Sequence, residues 1–191
     1  MANEVLQKTG AAQFRFCVTG SLSSADAGTN WIGGDSGTDV VLTLASLADA
    51  GARQSDKVDL GATRARQYAV FGCVDYTGET AVTATSVDYY WAPSTQATQA
   101  NGNTGGNSGE DAAAAAGGVG TSTVAEFLAI CEWIGSLSIS SIAGVQNGFV
   151  GVFSPSSRYG QLVVVNNGGD AFEDDDVEAH QVMIPLIDEI Q

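Results

Sequence analysis

Residues 146–166 read QNGFVGVFSPSSRYGQLVVVN. Two apolar runs, 146–153 and 161–166, flank a short SPSSRYG spacer. Both runs are rich in β-branched and aromatic residues and read as strands. Ser154-Pro155 stops the first, and Asn167-Gly168-Gly169 closes the second. No helix-length periodic segment lies between them or between most other runs of the chain, which argues against parallel βαβ crossovers.

Working outward, the same punctuation recurs. Residues 13–19 (QFRFCVT) alternate, with Phe14, Phe16 and Val18 on one face. Residues 38–44 (TDVVLTL) form a short β-branched run, and 67–76 (QYAVFGCVDY) a long one, with Gly72 marking a bulge or bend. Residues 85–92 (TSVDYYWA) stop before Pro93. Residues 178–187 (EAHQVMIPLI) form a final strand, whose Pro185 demands an edge position or a strand end. One helical turn is expected within 45–51. In 123–140, Thr123 and Glu126 have capping-box spacing, so a short helix or turn feeds a strand there. Seven or eight strands with at most short helices predict an all-β domain over residues 1–191, an antiparallel β-sandwich or jelly roll.

The chain of 191 residues has 22 acids against seven Lys and Arg, a formal charge of −15. A face that tracks phosphates needs clustered cations, so direct nucleic-acid contact and anionic membranes are not expected. The opening MANEVLQK has neither a basic n-region nor an apolar run, so synthesis in a cytoplasm is the expectation. Cys17, Cys73 and Cys131 are far apart among apolar neighbours and read as reduced, packed thiols.

Catalytic chemistry is hard to assemble from this inventory. His180 is the only histidine, and its alternating surroundings read as an ordinary half-buried or surface position. No Gly-x-Ser-x-Gly elbow, Walker loop or Cys-x-x-Cys pair is present. The expectation is a protein that is not an enzyme and needs no cofactor and no metal. Asp170, Glu173, Asp174, Asp175, Asp176 and Glu178 crowd one segment. Calcium is one reading of that run, and a solvated loop of self-repelling charge is the other.

Two segments are compositional outliers. Residues 94–122 (STQATQANGNTGGNSGEDAAAAAGGVGTS) hold no large apolar side chain except Val119. They read either as a disordered excursion or as an arm ordered against a neighbouring subunit. Residues 53–66 (RQSDKVDLGATRAR) carry Arg53, Lys57, Arg64 and Arg66, four of the seven cations. Such an island on an acidic protein fits a partner interface, or else pairs with carboxylates of its own chain.

Residues 53–68, the Tyr89-Tyr90-Trp91-Ala92-Pro93 aromatic stop, residues 149–166 and the tail 184–191 together resemble small virion structural proteins of tailed bacteriophages. The resemblance implies a β-sandwich subunit made in the host cytoplasm and assembled on a virion, a role of burying and presenting surface. Its partners would be the major capsid protein or other virion proteins, and further copies of itself. A capsid decoration or cement protein is the leading expectation, with a tail or fibre component beside it. A carbohydrate-binding adhesin is the alternative from another class. It would use Trp31, Tyr89, Tyr90 and Trp91 as a stacking platform, although alternation along a strand sends at least one of Tyr89, Tyr90 and Trp91 into the core.

Overall fold

A computed structural model describes residues 13–18, 37–78, 85–114, 123–174 and 179–186. Eleven strands occur among the described residues, in chain order β1 (Gln13–Cys17), β2 (Gly37–Val41), β3 (Ala52–Gln54), β4 (Val58–Asp59), β5 (Gln67–Asp75), β6 (Ser86–Ser94), β7 (Ala112–Ala113), β8 (Glu132–Ser138), β9 (Val145–Phe153), β10 (Tyr159–Asn167) and β11 (His180–Leu186). Among the described residues one α-helix, α1 (Val124–Leu128), precedes β8, and a 3-10 turn spans Thr104–Gly106. The strands form two sheets, ordered β2-β1-β11-β5-β9 and β7-β3-β10-β6-β8, with β4 also pairing with β10. Every pair is antiparallel except β1 with β2. The all-β sandwich architecture read from the sequence is the one found.

The extra strands β3, β4 and β7 are two or three residues long, too short for any period to reveal. Other differences have physical causes. β6 runs through Pro93 to Ser94 instead of stopping before it. Its ladder with β8 ends at Trp91, so Pro93 has a strand partner, Gly160, on one side only. Pro185 sits in the same situation: β11 pairs with β1 only as far as Met183, and Pro185 faces Tyr68 of β5 alone. The register shift in β5 falls between Val70 and Phe71, just before Gly72. Gly72 serves a close approach instead, since a Cβ there would lie 2.2 Å from the Tyr89 hydroxyl. Residues 45–51 form successive turns and not a helical turn, with Ser46 and Ala50 at positive φ.

The main core lies between the sheets. Phe14, Phe16, Val70 and Met183 of the first meet Tyr89, Trp91, Leu162 and Val164 of the second. A second cluster lies on the outer face of the second sheet. There Ala52, Ala92, Val163 and Val165 are covered by Phe127 of α1 and by Ala114. Every residue from Gly160 to Asn166 is buried, so β10 is wrapped on both faces. The capping box read at Thr123 is formed: the Glu126 amide donates to Thr123 Oγ1 at 3.2 Å, and the Thr123 amide donates to Glu126 Oε2 at 3.0 Å. It starts a helix of five residues, which exists to carry Phe127 onto the sheet.

The two long sides of the sandwich close differently. On one, β8 and β9 pass backbone against backbone: a Cβ on Gly135 would lie 2.3 Å from the Val150 carbonyl oxygen, and one on Gly151 2.4 Å from that of Ile134. On the other, polar groups bridge the sheet edges, with the Asp56 amide donating to the Val41 carbonyl at 2.9 Å.

Removing the cover over β10 tests this architecture. Phe127→Ala is expected to destabilise the protein by about 3–5 kcal/mol in urea unfolding, and Thr123→Ala by about 1 kcal/mol. Equal small losses for both would mean that α1 does not protect the sheet.

Candidate functional site

The four cations of the 53–66 island do not act together. β3 places Arg53 opposite Val164 and Gln54 opposite Val163, so the two side chains leave the strand on opposite faces. Arg53 donates from Nε to Asp111 Oδ1 at 2.7 Å and from Nη2 to Asp111 Oδ2 at 2.8 Å, a bidentate pair. Asp111 Oδ1 also accepts from the Thr43 amide at 3.2 Å, just past the end of β2. One carboxylate thus ties the edges of both sheets. Burial alone would raise the Asp111 carboxyl, but the hydrogen bonds from Arg53 and Thr43 and the guanidinium charge outweigh it and hold it below the ordinary value. On the other face, Gln54 Nε2 donates to Ser108 Oγ at 3.2 Å and to the Glu110 carbonyl at 3.1 Å.

Lys57 makes the second anchor. Its ammonium donates to three backbone carbonyls, those of Gln96 at 3.2 Å, Thr98 at 2.6 Å and Asn101 at 2.8 Å. Its own amide donates to the Gly109 carbonyl at 2.9 Å. Asp56 Oδ1 receives the Asp111 amide at 2.7 Å. Residues 94–114, expected to be a disordered excursion or an arm ordered against a neighbour, therefore fold back over their own basic island. The rest of the 94–122 segment, 115–122, lies outside the described residues.

Arg64 and Arg66 point elsewhere. Both are exposed, in the turn that enters β5, and no ion pair holds either among the described residues. Leu186 lies opposite Gln67, and Val152 opposite Ala69, so the same end of the first sheet carries two exposed apolar side chains, 36% and 44% accessible. The other cations are paired: Arg15 with Asp39 and Arg158 with Asp59, each at 2.6 Å. Lys8 lies outside the described residues.

His180 is buried, not half-exposed, and the register puts it directly opposite Cys73. The chain's one imidazole is thus beside a thiol. Their accessibilities are 1% and 0%, which gives a substrate no approach. Burial, with the nearby Asp39 carboxylate, pushes the Cys17 thiol up to about 11, and burial with Glu132 pushes Cys131 up to about 12. Both are inert protonated thiols at neutral pH.

Of the aromatic platform, Tyr89 and Trp91 are fully buried in the main core, and Trp31 lies outside the described residues. Tyr90 is on the opposite face, half-buried, and packs edge-on against Trp133 at 4.9 Å between centroids. Trp133 is 53% exposed, a position that its apolar neighbours in the sequence conceal. In the acidic run, Asp175, Asp176 and Glu178 lie outside the described residues. Among the described residues, no three His, Cys, Asp or Glu are grouped to hold a metal ion.

Comparison with known proteins returns no match to this chain from protein-family models, curated proteins or solved structures.

The Asp111 clamp has a pH signature. A carboxyl held low in the folded state stabilises fully above its unfolded value of about 4, and that contribution disappears as pH falls through the folded value. Asp111→Asn is expected to cost about 1–3 kcal/mol at pH 7. The gap from the natural protein narrows below pH about 4, when measured as urea midpoints across pH. A gap that is constant with pH would contradict the clamp.

Proposed function

We propose that this chain is a structural subunit of a bacteriophage virion, a capsid decoration or cement protein that holds shell neighbours together through surface contact. The carrying observation is the end of the first sheet, where Arg64 and Arg66, free of ion pairs among the described residues, lie in the turn into β5, whose first residues pair with the strands that carry the exposed Val152 and Leu186. On a molecule of charge −15, two outward cations at the same sheet end as exposed apolar side chains fit a partner surface that presents carboxylates beside an apolar patch. The resemblance of residues 53–68 and 149–166 to virion proteins supports the same reading, since those segments include Arg64, Arg66 and Val152. Arg53 and Lys57 support it indirectly, by holding residues 94–114 in place before any partner arrives. A tail or fibre position would use the same surface. One observation favours a carbohydrate-binding reading instead: the exposed Trp133 ring, edge-on to Tyr90.

Purified protein is expected to bind empty expanded heads saturably, in a symmetry-matched number of copies. The double variant Arg64→Glu, Arg66→Glu should weaken that binding by about 30-fold, the equivalent of about 2 kcal/mol, with the fold unchanged by circular dichroism. Binding at a single vertex or along the tail overturns the decoration role. Glycan-array hits that are lost in Trp133→Ala would favour the adhesin.

A further inference from the structure

The chain contains three Asn-Gly steps, Asn101-Gly102, Asn147-Gly148 and Asn167-Gly168. This is the dipeptide in which a backbone nitrogen most easily reaches the preceding side-chain amide, because glycine places no Cβ in its way. The structure treats the three differently. Asn147-Gly148 is inside the β9 ladder on β5, where Asn147 pairs with Cys73 and Gly148 with Gly72. Asn167 ends β10, where its Nδ2 donates to Asp88 Oδ2 at 2.9 Å, while the Gly168 amide donates to Asn166 Oδ1 at 2.9 Å. Both the attacking nitrogen and the leaving group are therefore occupied there.

Asn101-Gly102 is the contrary case. Both residues are exposed, in the loop that Lys57 clamps. The Asn101 amide donates to the Thr98 carbonyl at 3.0 Å, and the Gly102 carbonyl accepts from the Thr95 amide at 3.0 Å. Neither the Asn101 side-chain amide nor the Gly102 N–H is held by a hydrogen bond among the described residues. The carbonyl that links them accepts from the Lys57 ammonium at 2.8 Å and from Ser94 Oγ at 3.3 Å. A cation on a peptide carbonyl draws electron density from that peptide, which makes its N–H, here that of Gly102, more acidic.

We propose that Asn101 is a site of spontaneous covalent modification, the deamidation of its side chain. The Gly102 nitrogen loses its proton and forms a bond to Asn101 Cγ. The Cγ–Nδ2 bond breaks, and the nitrogen leaves as ammonia with that proton. Water then opens the five-membered imide at either carbonyl, giving aspartate or isoaspartate, and no oxidant or reductant takes part. The isoaspartyl product adds a carbon to the main chain at the residue whose carbonyl Lys57 grips, so the modification loosens the anchor of residues 94–102.

The test is peptide mapping of the intact protein during incubation at mildly alkaline pH, with isoaspartate-specific detection. Residue 101 is expected to exchange its side-chain amide for a carboxyl on the order of tenfold faster than residue 147 or 167. Asn101→Gln should abolish the change at that position while leaving the other two as they were. An unmodified residue 101, or conversion first at 147 or 167, overturns the proposal.

Discussion

β10 is apolar on both faces, and the rest of the molecule answers to that constraint. Leu162 and Val164 are buried between the sheets, while Val163 and Val165 point the other way. Each such side chain gains about 1.5–3 kcal/mol from full burial, so leaving the outer row in water is not tolerable in a domain of ordinary stability. A second cover is required, and α1 with Ala114 supplies it. The segment that leads to Ala114, residues 95–110, has no large apolar side chain to hold it down. It is fastened by charge and by backbone hydrogen bonds, through Lys57, Gln54 and the Asp111 anchor at its end. The scarcity of cations in this chain gives the position of each unusual weight.

Legibility in the sequence followed the range of the interaction. The run LVVV within residues 161–166 announces a buried strand, because β-branched residues without polar alternation have that meaning locally. Which residues cover it is a matter of distant pairing. Arg53 and Asp111 are 58 positions apart, and Lys57 and Asn101 are 44 apart. No local period encodes either link, so residues 94–114 read as unstructured. The capping box at Thr123 was legible for the opposite reason, since its partners are three residues apart. Alternation correctly implied that Tyr89, Tyr90 and Trp91 do not share a face. It could not show that Trp133 would be the exposed aromatic, because that depends on the edge position of β8 and on Tyr90 across the ladder. Nor does any sequence pattern bring His180 against Cys73, which follows only from the register of β11 on β5.

The division of the basic island links fold to function. Arg53 and Lys57 do internal work, which leaves Arg64 and Arg66 as the positive charges at the end of the first sheet that no ion pair holds among the described residues. A loop ordered in the free protein loses less conformational entropy on docking than one that must fold against its partner. A subunit present in many copies gains from such pre-ordering at every contact. On the proposed reading, the internal clamp prepares the molecule for assembly, and the outward arginines choose the surface it meets.

Amide hydrogen exchange on the isolated protein tests the central claim, that this chain orders residues 94–114 by itself. The amides of Lys57, Thr95, Asp111 and Ala114 are all donated within the chain. The account predicts slow exchange at these hydrogen-bonded amides in the free protein, with protection lost in the double variant Arg53→Met, Lys57→Met. Exchange at the rate of an unstructured chain, with protection gained only when a partner is added, would contradict it.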